Sequence, residues 1–511
     1  MTTEAPPSGA ISAPAPAEGS HARRLVQDVL IYGSGRLALQ LFPFLALPIL
    51  TRIFTPSDYT VIETTSAVTA LLLLVATLGL DSASQRSYFD YSDAEVRERN
   101  AMLSTAFWTI GAFAAALALV LGLAAAPISS LLFGDGGYST PLAIALATVP
   151  LTVLANFFQE IMRLRHQPWC YALVSAVAGA TTTTFVLWFV AGPRWGLTGF
   201  YAGFLVGTLA PLAVGFWIVR DAIRPVFDRR EFRVMMAYGL PLVWMGAFAW
   251  AVQLVDRFFL VRMAPFEDAG LYGVGARLAN VLLLVVIGVG VAWSPFILEI
   301  NARDPEHARA IRGRVLTIMT LALSLSGAAL ASLAPEVFRI VTGAGFERAS
   351  DVVGLLTLGN VFFGLSAIVG TGITFARRTR YFAIYGLYAA TTNVALNVAL
   401  IPPLGMTGAA VATLITYGLL AYLYWWREGR LGPAPYDLAR VGAILGLSAA
   451  TGVAGTLVVV DPLWLGVVLK VVALAGLAVA LFRVADAGRE VAAIRRSIRE
   501  QRASRTAGTT R

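Results

Sequence analysis

Blocks of roughly twenty apolar residues recur about fourteen times along this chain, with short polar turns between them. Twenty residues is about the length at which a helix crosses a bilayer, and in lipid the backbone must satisfy its own hydrogen bonds. A chain built this way is helical and embedded. The blocks fall at about 28–50, 60–80, 101–124, 141–161, 170–190, 198–219, 235–260, 269–295, 315–333, 352–375, 382–400, 408–425, 441–459 and 465–484. Their apolar runs are continuous rather than alternating, which excludes a membrane β-barrel. Only 14% of residues are charged, against about 25% in soluble proteins, so a soluble globular enzyme is excluded too. The expected fold class is all-α: a polytopic membrane protein of about 14 transmembrane helices.

The net charge of +9 does not point to nucleic acid. The basic residues sit in turns between apolar blocks, where a membrane protein carries its topology signal. Lys470 is the only lysine, so arginine supplies nearly all the positive charge. An even number of spans puts both termini on one side. The N-terminal tail and the turns after even-numbered spans hold about 30 arginines, including Arg220, Arg224, Arg229, Arg230 and Arg233 in one turn. The remaining turns hold about five: Arg52, Arg194, Arg262, Arg339 and Arg348. The positive-inside rule makes the first set, and both termini, cytoplasmic. Residues 1–25 are expected to be a disordered cytoplasmic tail; its first twenty residues are rich in Pro, Ala, Ser and Gly, and Arg23 and Arg24 come after them, so it does not read as a secretory signal. Residues 485–511, with Arg489, Arg495, Arg496, Arg499, Arg502 and Arg505, form a basic cytoplasmic tail. It reads either as an amphipathic helix on anionic lipid or as a topology anchor.

The chain also resembles itself. A shift of 210 residues sets Tyr171 on Tyr381, Ala180 on Ala390, Thr181 and Thr182 on Thr391 and Thr392, and Pro193 on Pro403. After one deletion, Gly196, Thr198 and Gly199 meet Gly405, Thr407 and Gly408. The same shift pairs Arg52 with Arg262 and Asp58 with Asp268. Turn residues match here, not only Leu and Val. A six-span repeat keeps its orientation, which implies two lobes related by a pseudo-two-fold axis along the membrane normal. The expected organisation is an N-lobe at 26–220 (spans 1–6), a cytoplasmic linker at 221–233, a C-lobe at 234–426 (spans 7–12), and spans 13 and 14 at 427–484.

Enzyme signatures are lacking. Lys470 lies in LGVVLKVV, not in a phosphate-binding loop, so no nucleotide is expected. Cys170 is the only cysteine, and His21, His166 and His307 lie far apart, so no metal site is expected. Gly273-Val274-Gly275 reads as close helix packing. Ionisable residues inside spans carry more information, because lipid makes them costly. The deepest are Arg36, Arg277 and Lys470, all cations, which favours an anion held between the lobes. Each has a structural alternative. Arg36 can snorkel to the cytoplasmic surface, Arg277 can pair with Asp256 or Glu63, and Lys470 can snorkel outward past Trp464. Gln40, Asn393 and Asn397, with Gln159 and Gln253, either line a polar cleft or bond helix to helix. Asp81 and Arg86, Glu160, and Asp256 and Arg257 are candidates for gating or ion coupling.

Several segments carry a family likeness. LALPILTRIFTPSDY, GLDSASQR, YGLPLVWMGAFAWAVQLVDRFFL with AGLYGVGARLA, and NVALIPPLGMTGAAVATLITY each resemble bacterial polysaccharide flippases. That family comprises the lipid-linked oligosaccharide (O-antigen and exopolysaccharide) flippases of the multidrug/oligosaccharidyl-lipid/polysaccharide exporter superfamily. The likeness runs from about Val26 to Trp426, and more weakly to Val484. One departure is Thr60-Val61, where a glycine after the tyrosine is common. The resemblance implies a bacterial inner-membrane protein, not an enzyme. It would move an undecaprenyl-diphosphate-linked oligosaccharide outward by alternating access. No cofactor is implied; the membrane potential, or proton or sodium coupling, would drive transport. Partners implied are the lipid-linked substrate, membrane lipids, a polysaccharide polymerase and a chain-length regulator. The alternatives are a cation-coupled drug exporter on the same fold and a membrane enzyme of glycan assembly.

Overall fold

The computed structural model describes residues 42–92, 94–458 and 460–486. Every regular element in it is helical. The first half comprises α1 (Phe42–Ile53), α2 (Pro56–Ala76), α3 (Leu80–Tyr88), α4 (Val96–Leu123), α5 (Ala125–Phe133), α6 (Ser139–Leu164), α7 (Pro168–Ala191) and α8 (Gly196–Val219). The second half comprises α9 (Arg229–Leu254), α10 (Asp256–Met263), α11 (Phe266–Ala279), α12 (Val281–Arg303), α13 (Pro305–Val341), α14 (Val353–Val369), α15 (Thr371–Phe375) and α16 (Arg380–Gly429). Two more helices follow, α17 (Leu438–Leu457) and α18 (Leu463–Val484). Among the described residues, eleven helices are long and apolar enough to cross a membrane, or up to twelve if the bent pair α11–α12 is one span. One of the eleven, α16, is itself two helices joined across a break at Gly405.

The breaks follow from local chemistry. Thr55 and Asp58 cap α2 reciprocally, with Pro56 in the first turn, which turns the chain straight back after α1. Asp228 and Asp304 cap α9 and α13 by accepting backbone N–H bonds. Gly196 (φ +59°) and Gly405 (φ +55°), matched in the internal repeat, both adopt the left-handed conformation that glycine tolerates best. The repeat therefore recurs in backbone geometry at the turn where the sequence match is densest.

Two apolar cores lie within the two halves. One joins α2–α4, α6–α9 through Leu103, Phe107, Phe157, Phe158, Ile161 and Met235. The other joins α12–α17 through Leu282, Trp293, Ile297, Leu323, Val361 and Leu365. A third core crosses between the halves and gathers Phe54, Tyr59, Val190, Leu260, Tyr272, Phe346 and Met406. These residues lie beside the arginine-poor turns, so the halves are sealed together at that end. The α17–α18 pair packs on α13 through Leu321, Ala328, Ile444, Leu477 and Leu481.

One boundary and the continuity of three spans differ from the sequence reading. Span 9 was expected to end near 333, before a long loop at 334–351; α13 instead runs on to Val341. The charged residues that end the apolar run are paired, Glu336 with Lys470 and Arg339 with Asp461, so the helix continues. Spans 2, 7 and 8 are each broken, at 77–79, Val255 and Asn280. Arg36 and Gln40, and both tails apart from residues 485–486, lie outside the described residues.

Candidate functional site

The two halves meet along α2 and α11. From Tyr59 to Thr65 every residue of α2 is buried, and so is α11 from Asp268 to Ala276. Glycines allow this approach. A Cβ on Gly270 would lie 2.1 Å from the Pro56 carbonyl oxygen, and one on Gly273 would lie 2.2 Å from Glu63 Cγ. The Gly273 and Gly275 pattern thus serves packing, as read from the sequence. Thr60 Oγ1 donates to the Phe266 carbonyl at 2.5 Å and accepts from the Gly270 N–H at 3.0 Å. Residues 60 and 270 stand one repeat apart, so their contact lies where the pseudo-two-fold axis would pass. The position at which the chain departs from the usual glycine is the one that stitches the seam.

Charged groups close this seam. Arg277 donates to Glu63 Oε1 from Nε at 2.9 Å and from Nη2 at 2.6 Å. Its guanidinium also lies 5.7 Å from the Tyr59 ring centroid. Of the two partners weighed for Arg277, the structure supplies Glu63. The Glu63 side chain is 9% exposed, whereas that of Arg277 is 34% exposed. Beyond this pair α2 is half-buried over Val68–Val75, so the tight seam gives way to looser packing there.

Asp256 and Arg257 form a second buried pair, with Arg257 Nη1 at 2.7 Å from both Asp256 Oδ1 and the Gln253 carbonyl. Arg257 sits 5.2 Å from the Tyr272 ring centroid, and the Tyr272 hydroxyl bonds Thr413 at 3.3 Å. Asp268 accepts the Met406 N–H at 3.1 Å and thereby pins the Gly405 turn to α11. These groups lie close to one another along α2, α10, α11 and the second half of α16.

The remaining candidates lie elsewhere. Lys470 Nζ is 2.5 Å from Glu336 Oε1, and both side chains are 4% exposed. Asn393 donates to Thr416 at 3.3 Å and ties the halves of α16 together, and Asn397 supports it by donating to Asn393 at 2.9 Å within the first half. Glu160 pairs with Arg163 in the last turn of α6. Arg86 lies over Tyr238 at 4.7 Å, linking α3 to α9. Asp81 has no hydrogen-bonding or ionic partner among the described residues.

The order of broken helices, the glycine-packed seam and the paired turns can be set beside known proteins. Residues 25–301 match the polysaccharide biosynthesis protein family, which is more than half of the chain. The chain belongs to that family. A Haemophilus influenzae protein of the Lsg locus is 23% identical over 54% of this chain and 66% of its own length. The succinoglycan biosynthesis transport protein ExoT of Rhizobium meliloti is 23% identical over 62% of each chain. The matches thus span slightly less than two thirds of these relatives. In three dimensions the chain is similar to lipid II flippase MurJ in an inward closed conformation, with TM-score 0.69 and 14% identity, over 89% of this chain and 99% of that one. An inward-facing multidrug resistance MATE family transporter of the MOP superfamily gives TM-score 0.60 and 12% identity, over 81% and 95%. The fold is that of the MurJ and MATE transporters.

Within this family member, sequence reading missed three polar partners. Glu336 was hidden by its placement in a loop. Arg312 and Glu428, 116 residues apart, form a fully buried pair at the arginine-rich end of the second half. Tyr436 donates to Glu428 at 2.6 Å and Arg312 lies 5.1 Å from the Phe375 ring. Charges at the ends of apolar runs looked like ordinary turn residues; nothing local in the sequence shows that they face each other.

Proposed function

We propose that this chain is a flippase that carries an undecaprenyl-diphosphate-linked oligosaccharide from the cytoplasmic to the outer face of the inner membrane by alternating access, for surface polysaccharide biosynthesis. The family match carries this reading, and the MurJ-like fold supports it. The arginine-rich turns and both termini are cytoplasmic by the positive-inside rule. On that orientation the α2–α11 seam is an outer gate. Thr60, Glu63 with Arg277, and Asp256 with Arg257 hold it closed, and outward opening requires the Glu63–Arg277 pair to part. Arg277, whose side chain is one-third exposed where the seam loosens, then exchanges a carboxylate for the diphosphate, which its planar fork suits.

Transport outward is downhill for the charge. Two negative charges moving outward, down an inside-negative potential, gain about 4.6 kcal/mol per 100 mV, so no nucleotide is required. If a proton or sodium ion is coupled, Asp81 is the carboxylate we assign to it, because Glu160 and Asp256 are engaged by arginines. A cation exporter on the same fold would use a deep unpaired acid. Glu63, Asp256, Glu336 and Glu428 are each bound to a cation in this structure.

The test is a deletion strain with and without the gene restored, in which diphosphate-linked oligosaccharide is quantified by membrane face. Complete repeat units should accumulate on the cytoplasmic face and clear on complementation. Unchanged pools with altered sensitivity to cationic dyes would transfer the chain to the exporters, and incomplete glycans would make it an assembly enzyme.

A further inference from the structure

At the arginine-rich end of the second half, the α15–α16 turn carries Arg377, Arg378 and Arg380, the far end of α16 carries Arg427 and Arg430, and Arg380 and Arg427 meet at Tyr381. Tyr381 sits among them. Its hydroxyl accepts from Arg427 Nη2 and, at 3.4 Å, from Arg380 Nη2. The two guanidinium carbons lie 3.8 and 5.2 Å from the centroid of the same Tyr381 ring. Two cations therefore converge on one neutral phenol. None of the five arginines has a carboxylate partner among the described residues. The nearest buried acid, Glu428, is committed to Arg312 and Tyr436. Arg427 Nε is buried with no acceptor among the described residues.

The matching turn of the first half is built differently. There Arg163 pairs with Glu160 and Arg165 pairs with Asp221 at 2.9 Å. Topology alone is served by paired or unpaired arginines alike, so it does not account for the difference. Bringing like charges together costs energy that an added anion returns, and a guanidinium with an open edge binds phosphate oxygens bidentately. Tyr381, Tyr385 and Tyr388 continue from this cluster along α16, with centroids 5.7 and 6.4 Å apart. Tyr388 is 52% exposed, and aromatic faces of this kind suit the apolar faces of sugars.

We infer that Arg380, Arg427 and Tyr381 form a docking site for the diphosphate of the lipid-linked substrate at the cytoplasmic end of the C-lobe, before it reaches the seam. This rests on the flippase reading. The bond made is ionic and hydrogen-bonded only: phosphate oxygens replace the phenol as acceptor for both guanidinium groups.

The test uses full-length protein in detergent, with binding of polyprenyl diphosphate, phosphatidylglycerol and inorganic pyrophosphate measured separately by native mass spectrometry. Wild type should prefer polyprenyl diphosphate to phosphatidylglycerol. Arg380→Gln with Arg427→Gln should weaken that binding roughly tenfold or more. Arg427→Lys keeps the charge but loses the fork, and should weaken it by an intermediate factor; Tyr381→Phe keeps the ring and isolates the hydroxyl. Gel filtration reports folding for each variant. Equal binding of phosphatidylglycerol, lost in parallel, would make the cluster an anionic-lipid anchor and overturn the inference; so would tight pyrophosphate binding unaffected by the variants. Transport separates the two levels of the argument. If wild type moves the substrate and the double variant does so with unchanged half-saturation, the docking site fails and the flippase stands. If wild type moves none, both fall.

Discussion

Replacing Lys470 with methionine should cost stability, and replacing its partner as well should restore it. Lys470 on α18 and Glu336 on α13 are 2.5 Å apart with side chains 4% exposed, and Glu336 Oε2 has no partner among the described residues. Lys470→Met leaves a buried carboxylate without its cation. Removing one partner of such a pair costs about 3–5 kcal/mol, or roughly two to four orders of magnitude in the folded ratio. In Lys470→Met with Glu336→Leu, both charges go and apolar volume remains, a change that is often neutral or stabilising by about 1–4 kcal/mol. The assay is the surviving monodisperse fraction after heating in detergent, read by gel filtration, alongside surface polysaccharide in the complemented deletion strain. The single variant should lose its peak at a lower temperature than wild type. The double variant should regain both the peak and the polysaccharide. A stable, inserted double variant without polysaccharide would refute the reasoning and place Lys470 on the substrate.

Three further outcomes follow from the geometry. Gly79→Ala combines a left-handed φ of +68° with a Cβ 2.2 Å from the Gly239 carbonyl oxygen; it should destabilise by about 2–3 kcal/mol or more, seen as a lowered thermal midpoint. Arg277→Ala should abolish surface polysaccharide while the protein still inserts, and Arg277→Lys should restore only part of it, measured by polysaccharide blot against membrane protein level. Asp221, outside the spans, is held below its ordinary value by its hydrogen bond to Arg165. A depressed carboxylate contributes stability above its unfolded value near 3.8, lost as pH falls through the folded value. Arg165→Gln should therefore shrink the difference in thermal midpoint between about pH 6 and pH 3, modestly because Asp221 is exposed.

Lipid makes some features legible and hides others. The spans could be read because every one must present a long apolar run. The turn at Gly405 could be read because its repeat partner at Gly196 carries the same local demand. The breaks at Val255 and Asn280 fall inside runs read as single spans, where Asp256-Arg257 and Arg277 looked like ionisable residues within a continuous helix. Glu63 could be named as a partner of Arg277, but the choice between it and Asp256 depended on helix rotation, which sequence spacing across 214 residues does not fix. The Asn393–Asn397 bond follows from an i, i+4 spacing, whereas Glu336 and Lys470 meet only because α13 extends two turns past its apolar stretch. The departure at Thr60 looked minor, and its role emerged once α11 was seen packed against it.

The most direct test of transport uses the purified protein in liposomes loaded with a synthetic polyprenyl-diphosphate-linked glycan, with a glycosidase added outside. Lipid-linked glycan on the inner leaflet is protected until it is moved outward. The account predicts that wild type exposes the protected half, faster with an inside-negative potential, and that Arg277→Ala does not. Protection that persists with correctly inserted wild-type protein, with or without a potential or ion gradient, would contradict it.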